Sequence, residues 1–205
     1  MADRRPIFNI LPVGWDFPGW VDEFYPADLP QEWRLAYFAN EFPGVLIPQQ
    51  IWLNLDLLTL SDWCNDVGEG FRFYLQLNQE VIEPTLTDKK SGLGNHFGGF
   101  AIDSSWLDHS LHPDRFRYQG VDCFTLFYKG FTVQDIERLS LNKTRIACLL
   151  AAADLADLKS QRRVLEQLAE QVTARAEVLL FLNGDPPALQ KLRELRTLSQ
   201  LLGLS

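Results

Sequence analysis

Apolar runs of strand length alternate along the chain with stretches in which apolar residues recur every three or four positions. These are the periods of a strand buried on both faces and of an amphipathic helix, and their alternation predicts βαβ units built on a mainly parallel sheet. Ile7 to Val13 opens the series as a strand closed by Gly14. Pro30 suits a first helical turn, and Leu35, Phe38 and Phe42, with Trp33 and Tyr37, follow at helical spacing up to Gly44. Val45 to Ile47 reads as the second strand, Leu57 to Val67 as a helix, and Phe71 to Leu77 as a third strand rich in aromatics.

From Glu83 to Gly99 the pattern lapses among Pro84, Gly92, Gly94, Gly98 and Gly99, which predicts a functional loop or a coil standing where an element was lost. Phe100 to Ile102 reads as a short strand and Asp108 to Arg117 as irregular. Order returns with Val121 to Tyr128 as a strand, after which Thr132 and Asp135 supply a capping pair for a short helix. Ile146 to Ala152 is expected as a strand, followed by a long helix with Leu155, Leu158, Leu165, Leu168 and Val172 on one face. Val178 to Leu182 closes the strand series, and Asp185 with Pro186 is expected to cap and open a last helix carrying Leu189, Leu192, Leu195 and Leu198. Six or seven strands result. No solenoid repeat or Pro/Ser-rich linker divides the 205 residues, so a single domain is expected.

Composition narrows the function. With 46% apolar residues, including 14 Phe and 6 Trp, the chain has enough large side chains to offset ordering entropy in a packed core. The balance of 19 basic against 27 acidic residues leaves a net charge of -8, which disfavours non-specific nucleic-acid binding. Lys159, Arg162 and Arg163 share their helix with Glu166 and Glu170 and read as a solvated face. Cys64, Cys123 and Cys148 are too far apart in sequence for a zinc or redox motif and read as buried thiols in a reducing, cytoplasmic compartment. The N-terminus lacks a signal-peptide pattern. The longest apolar run, Ile146 to Leu158, contains Asp154 and Asp157 and falls short of the roughly 20 residues that span a bilayer.

The segment Gly14-Trp15-Asp16-Phe17-Pro18-Gly19-Trp20-Val21-Asp22-Glu23-Phe24-Tyr25-Pro26 carries two Trp and a Phe-Tyr-Pro triplet at fixed spacing. It resembles the first motif of the YecE-like family, domain of unknown function 72. Leu35 to Phe42, Val45 to Trp52 and Phe71 to Gln76 resemble that family's next helix and strands, and Val178 to Asp185 is similar to its closing strand and turn. The resemblance implies a TIM-like barrel, a fold that usually takes roughly 250 residues. The expected fold class is therefore α/β, an abridged or incomplete TIM-like barrel with mainly parallel strands and outer helices.

Departures from the family pattern bear on chemistry. Leu46 stands where the family has Glu, Pro48 where it has Asn, and Gln76 where it has Lys. Leu and Gln neither donate nor accept protons as acid or base near neutral pH, so any family activity is expected to be lost and no catalytic residue is assigned. Barrel ligands sit at the C-terminal strand ends. Ligand-binding candidates are thus Trp15, Asp16 and Trp20 after the first strand, Gln49 and Gln50 after the second, Gln76 and Asn78 after the third, and Asn183 and Asp185 after the last. Amides hydrogen-bond and indoles stack, which suits recognition of a small molecule or protein segment.

Asp108, His109, His112 and Asp114 have metal-ligand chemistry but no dependable spacing, and Gly92 to Gly99 lacks a phosphate-loop ending, so no metal or cofactor is expected. A non-catalytic binding or interaction domain is the leading expectation, with a homo-oligomer covering any exposed sheet edge. The other reading is a hydrolase or lyase acting through Asp16, His96 or Asp185, on a small-molecule or nucleic-acid substrate.

Overall fold

The computed structural model describes residues 5–79, 81–105, 123–138 and 145–205. Seven strands lie in it: β1 (Ile7–Pro12), β2 (Gly44–Ile47), β3 (Arg72–Leu77), β4 (Phe97–Asp103), β5 (Cys123–Tyr128), β6 (Arg145–Ala151) and β7 (Glu177–Asn183). All neighbouring pairs are parallel, in the order β1-β7-β6-β5-β4-β3-β2. The two edges meet through a parallel bridge between Val13 and Leu46, reinforced by the Gly14 N–H donating to the Leu46 carbonyl at 2.9 Å. The result is a nearly closed α/β barrel of TIM-like form, as the sequence pattern and the resemblance predicted.

Outside it lie α1 (Arg34–Ala39), α2 (Gln49–Trp52), α3 (Leu57–Asp66), α4 (Glu83–Leu93), α5 (Val133–Arg138), α6 (Leu158–Gln171) and α7 (Leu189–Leu201). Among the described residues, no helix is long and apolar enough to cross a membrane.

The strands read as continuous apolar runs because both of their faces are buried. Successive side chains alternate between two cores. Leu11, Leu46, Tyr74, Phe124, Leu126 and Phe181 belong to the inner one. Phe8, Ile10, Val45, Phe73, Phe100 and Leu180 pack instead under the helices, where they meet Phe38, Trp52, Leu60 and Leu165. In the first helical segment Leu35, Phe38 and Phe42 turn inward, while Trp33 and Tyr37 face solvent.

Two readings of the sequence are corrected. Residues 83–93 are not coil: α4 forms there, with Pro84 in its first turn, where no amide hydrogen is needed. It was illegible because only Leu86, Lys89 and Leu93 are buried on it, too few to give a periodic stripe. The last helix does not begin at Asp185 either. Two prolines follow that residue, α7 starts at Leu189, and its N-cap is Ala188. The expected irregular stretch 108–117 lies outside the described residues. By contrast Thr132 and Asp135 do form the reciprocal cap, with the Thr132 N–H donating to Asp135 Oδ2 at 2.7 Å and the Asp135 N–H to Thr132 Oγ1 at 3.2 Å.

Glycine at position 98 has a packing reason. The pairing of β3 with β4 shifts register between Phe73 and Tyr74, which pair with Phe97 and Gly99 and leave Gly98 as the extra residue of a bulge. A Cβ at Gly98 would stand 2.7 Å from the ring of Tyr74, itself wedged edge-on against Phe124 and Phe181 inside the barrel. Gly98→Ala is expected to displace that ring and to lower stability by about 1–3 kcal/mol in urea denaturation. A loss below about 0.5 kcal/mol, the usual scatter for substitutions that disturb no packing, would contradict the wedge.

Candidate functional site

A barrel of parallel strands brings every strand's C-terminal end to one rim, and the alternation decides which last residues turn inward. Tyr74 and Ala101 are inner residues, so Gln76 and Asp103, two places further on, share their side; in β5, Tyr128 follows Phe124 and Leu126 in the same way. These three side chains meet. The Tyr128 hydroxyl donates to Asp103 Oδ2 at 2.7 Å, and the Gln76 amide lies close enough to the same phenol to affect its ionisation. Asp103 Oδ1 accepts from the Ser105 N–H at 2.8 Å and from Ser105 Oγ at 2.7 Å.

Asp103 is only 7% exposed, whereas the Tyr128 side chain remains about half open to solvent. A carboxylate so far from water requires donors, and here three surround it. Burial, together with the hydrogen bond and charge of Asp103, pushes the Tyr128 phenol up to about 12, partly opposed by the nearby Gln76 amide. Tyr128 therefore holds its proton throughout the neutral range.

The residues expected at this rim fall into three groups. Gln76 belongs to the inner set, on β3. Asp16, Asn78, Asn183, Asp185 and Gln50 are exposed around or beyond the strand ends. Of these, Asp16 is already engaged by Arg34 Nη1 at 2.6 Å and Gln31 Nε2 at 2.5 Å, and Asn183 Oδ1 accepts from the Gly184 N–H at 3.0 Å. Trp15, Trp20 and Gln49 do not face the inner set.

Trp15 packs edge-on against Trp63 of α3, with centroids 4.6 Å apart, in the outer core. Trp20 is completely buried among Phe17, Phe24 and Phe38, and its indole N–H donates to the Pro187 carbonyl at 3.1 Å. No atom of that ring is left to offer a ligand. Gln49 is buried as a clamp, its Oε1 accepting from the Asn78 and Gln79 N–H groups at 2.7 and 3.0 Å and fixing the loop after β3. The conspicuous Gly14-to-Pro26 motif is thus largely scaffold: Tyr25 donates to the Trp15 carbonyl at 2.5 Å, and Arg34 lies over the Tyr25 ring.

Sequence reasoning missed Asp103 and Tyr128. Asp103 follows the predicted strand Phe100 to Ile102, which in fact runs from Phe97 to Asp103, and Tyr128 read as an ordinary strand aromatic. Extending the inward set Gly99, Ala101 by one step of two would have reached Asp103.

The remaining chemistry-bearing residues lie elsewhere. His96 precedes β4, at the opposite end of the barrel, where its Nδ1 is 3.1 Å from the Phe71 carbonyl oxygen. Burial pushes the Cys123 thiol to about 11 and raises Cys64 and Cys148 as well, so none is a ready nucleophile. Arg162 pairs with Glu166 at 2.8 Å on the exposed face of α6. Asp108, His109, His112 and Asp114 lie outside the described residues. Leu46 is fully buried in the inner core.

Residues 12–100 match the family model for DUF72, a protein of unknown function. Among solved structures, a DUF72 family protein from Enterococcus faecalis superposes with a TM-score of 0.60 at 9% identity, covering 95% of this chain and 96% of its own. One from Thermotoga maritima also gives 0.60, at 8% identity, covering 95% of this chain and 99% of its own. No curated protein matches the chain.

The Tyr128 environment has a measurable signature. The folded chain keeps this proton between pH 10 and about 12, where an unfolded tyrosine has lost it. The unfolded state then binds fewer protons, so this group's contribution to stability falls as pH rises through that window. In ultraviolet titration of tyrosinate, the difference between wild type and Tyr128→Phe is expected to have its midpoint near 12, and Asp103→Asn to move it down. A midpoint near 10 with native circular dichroism would contradict the buried hydrogen bond.

Proposed function

We propose that this divergent relative of the DUF72, or YecE-like, family is a non-catalytic binding protein that captures a small hydrogen-bonding molecule, or a protein segment, at the C-terminal end of its barrel. The observation that carries the reading is the Tyr128–Asp103 hydrogen bond at the last inward positions of two adjacent strands, with the Gln76 amide of the next strand beside the phenol. Fixed dipoles beside a half-open aromatic ring are the equipment of recognition.

Proton transfer is poorly supported there. The phenol keeps its proton well above neutrality, and the carboxylate is occupied by three donors. Where the resemblance implies Glu and Lys this chain has Leu46 and Gln76, which is why it reads as a pseudoenzyme. A hydrolase or lyase built on Asp16 and His96 is disfavoured, because Asp16 is ion-paired with Arg34 and His96 stands at the far end of the barrel.

Three cysteines without a disulfide and the acidic charge fit a cytoplasmic setting. Exposed Trp33, Leu58 and Ile82 are the side chains that a second copy would cover in the oligomer we also propose.

The reading is tested by screening a panel of neutral, cationic and anionic small molecules by saturation-transfer NMR, alongside hydrolysis assays with p-nitrophenyl acetate, phosphate and glycosides. Binders are expected whose signals disappear in Asp103→Asn and in Tyr128→Phe, without turnover. Turnover removed by Asp103→Asn would overturn the non-catalytic reading.

A further inference from the structure

Outside the barrel wall, the connections that follow β2 and β3 lie side by side. Three tethers hold them together. Gln49 of α2 accepts from the Asn78 and Gln79 N–H groups at 2.7 and 3.0 Å, the buried Lys89 of α4 donates to the Leu55 carbonyl, and a Cβ at Gly92 of α4 would stand 3.0 Å from Leu57 of α3.

This pair of connections gathers apolar surface. Ile51, Leu53, Leu57, Leu58 and Ile82 are all exposed there, Leu58 by 76% and Ile82 by 70%. The other six exposed large apolar side chains among the described residues are spread over β1, the α1 segment, β5, α6 and α7. Single exposed residues need no partner, whereas five on two tethered connections mark a contact surface.

Its charge is one-sided. Residues 48–71 contain Asp56, Asp62, Asp66 and Glu69 without a Lys, Arg or His, and residues 78–88 add Glu80, Glu83 and Asp88, again without one. The acids stand beside the apolar positions: exposed Asp56 caps α3 immediately before Leu57, Asp62 lies one turn beyond Leu58, and Glu83 follows Ile82. Lys89 is consumed by Leu55, and Lys90 lies near Cys123 on the side of β5.

Aliphatic side chains rimmed by carboxylates select their occupant. Nucleic acid and anionic lipid would be repelled. A second copy presenting the same face would set Asp56, Asp62 and Glu83 against their own equivalents. We infer that α2 and the first turns of α3 and α4 form a docking face for a basic amphipathic segment of a partner protein, whose apolar side chains cover Leu57, Leu58 and Ile82 while its Lys and Arg residues meet Asp56, Asp62 and Glu83. This contact needs none of Gln76, Asp103 and Tyr128, so it stands or falls apart from the small-molecule site.

The test is fluorescence anisotropy of the full chain with a labelled peptide of two Leu-Lys-Lys-Leu-Leu-Lys-Leu repeats, beside one with Glu for every Lys and one with Ser for every Leu. The Leu/Lys peptide is expected to bind at least about tenfold more tightly than either. Leu58→Ser with Ile82→Ser, at exposed positions where folding is not at stake, should weaken it at least about tenfold. Asp62→Asn with Glu83→Gln should weaken it about three- to tenfold at low salt and flatten its salt dependence, while Glu170→Gln on α6 should change nothing.

Equal binding of the Leu/Lys and Ser/Lys peptides, or binding unchanged in Leu58→Ser with Ile82→Ser, would reduce the effect to the overall acidity of the chain and overturn the docking face. Sedimentation in which the wild type self-associates and that double variant does not, with no peptide bound, would overturn it in favour of a second copy as the occupant.

Discussion

Strand alternation inside a closed parallel sheet is the constraint from which the rest of this molecule follows. Once the Val13–Leu46 bridge draws β1 and β2 together, each strand must send every second side chain into a space with no exit through the wall. Bulky residues fill it from below. Tyr74, Phe124 and Phe181 meet edge to face, and Gly98 supplies the room that Tyr74 needs. Above them the same alternation leaves Gln76, Asp103 and Tyr128 as the last inward positions of three neighbouring strands, so their meeting is a product of register.

A polar cluster in that position carries an electrostatic obligation. Burying a carboxylate costs several kcal/mol unless donors replace the lost water. Asp103 finds them in its own following turn and in the adjacent strand, and the phenol it binds is in turn less willing to ionise. The phenol therefore keeps its proton through the neutral range. At the opposite end of the barrel Asn9 donates to Glu177 at 2.9 Å, and the wedged aromatics lie between the two ends.

Much of the architecture was legible in the sequence because it depends on periodicity. The parallel strands, the long α6 and the Thr132 and Asp135 cap each have a local pattern that tertiary structure did not override. α4 was not legible: Pro84 and Gly92 read as breakers, but the first sits where a helix tolerates proline, and a Cβ at the second would come within 3.0 Å of Leu57 of the neighbouring α3. The site was legible in part. Gln76 followed from its place at a strand end, whereas Trp20 and Gln49, attractive as an indole and an amide, are consumed by Pro187 and by the loop after β3. Asp103 and Tyr128 are 25 positions apart, and only the register of β4 against β5 brings them together. Single-sequence pattern carries no such information.

The contact between those two residues can be measured without knowing any ligand. A double-mutant cycle of Asp103→Ala and Tyr128→Phe, followed by urea denaturation, isolates their pairwise term. A coupling of about 1.5–3 kcal/mol is expected for a buried hydrogen bond to a charged group. Additive effects, to within about 0.5 kcal/mol, would contradict the account, because the carboxylate and the phenol would then not be holding each other at the end of the barrel.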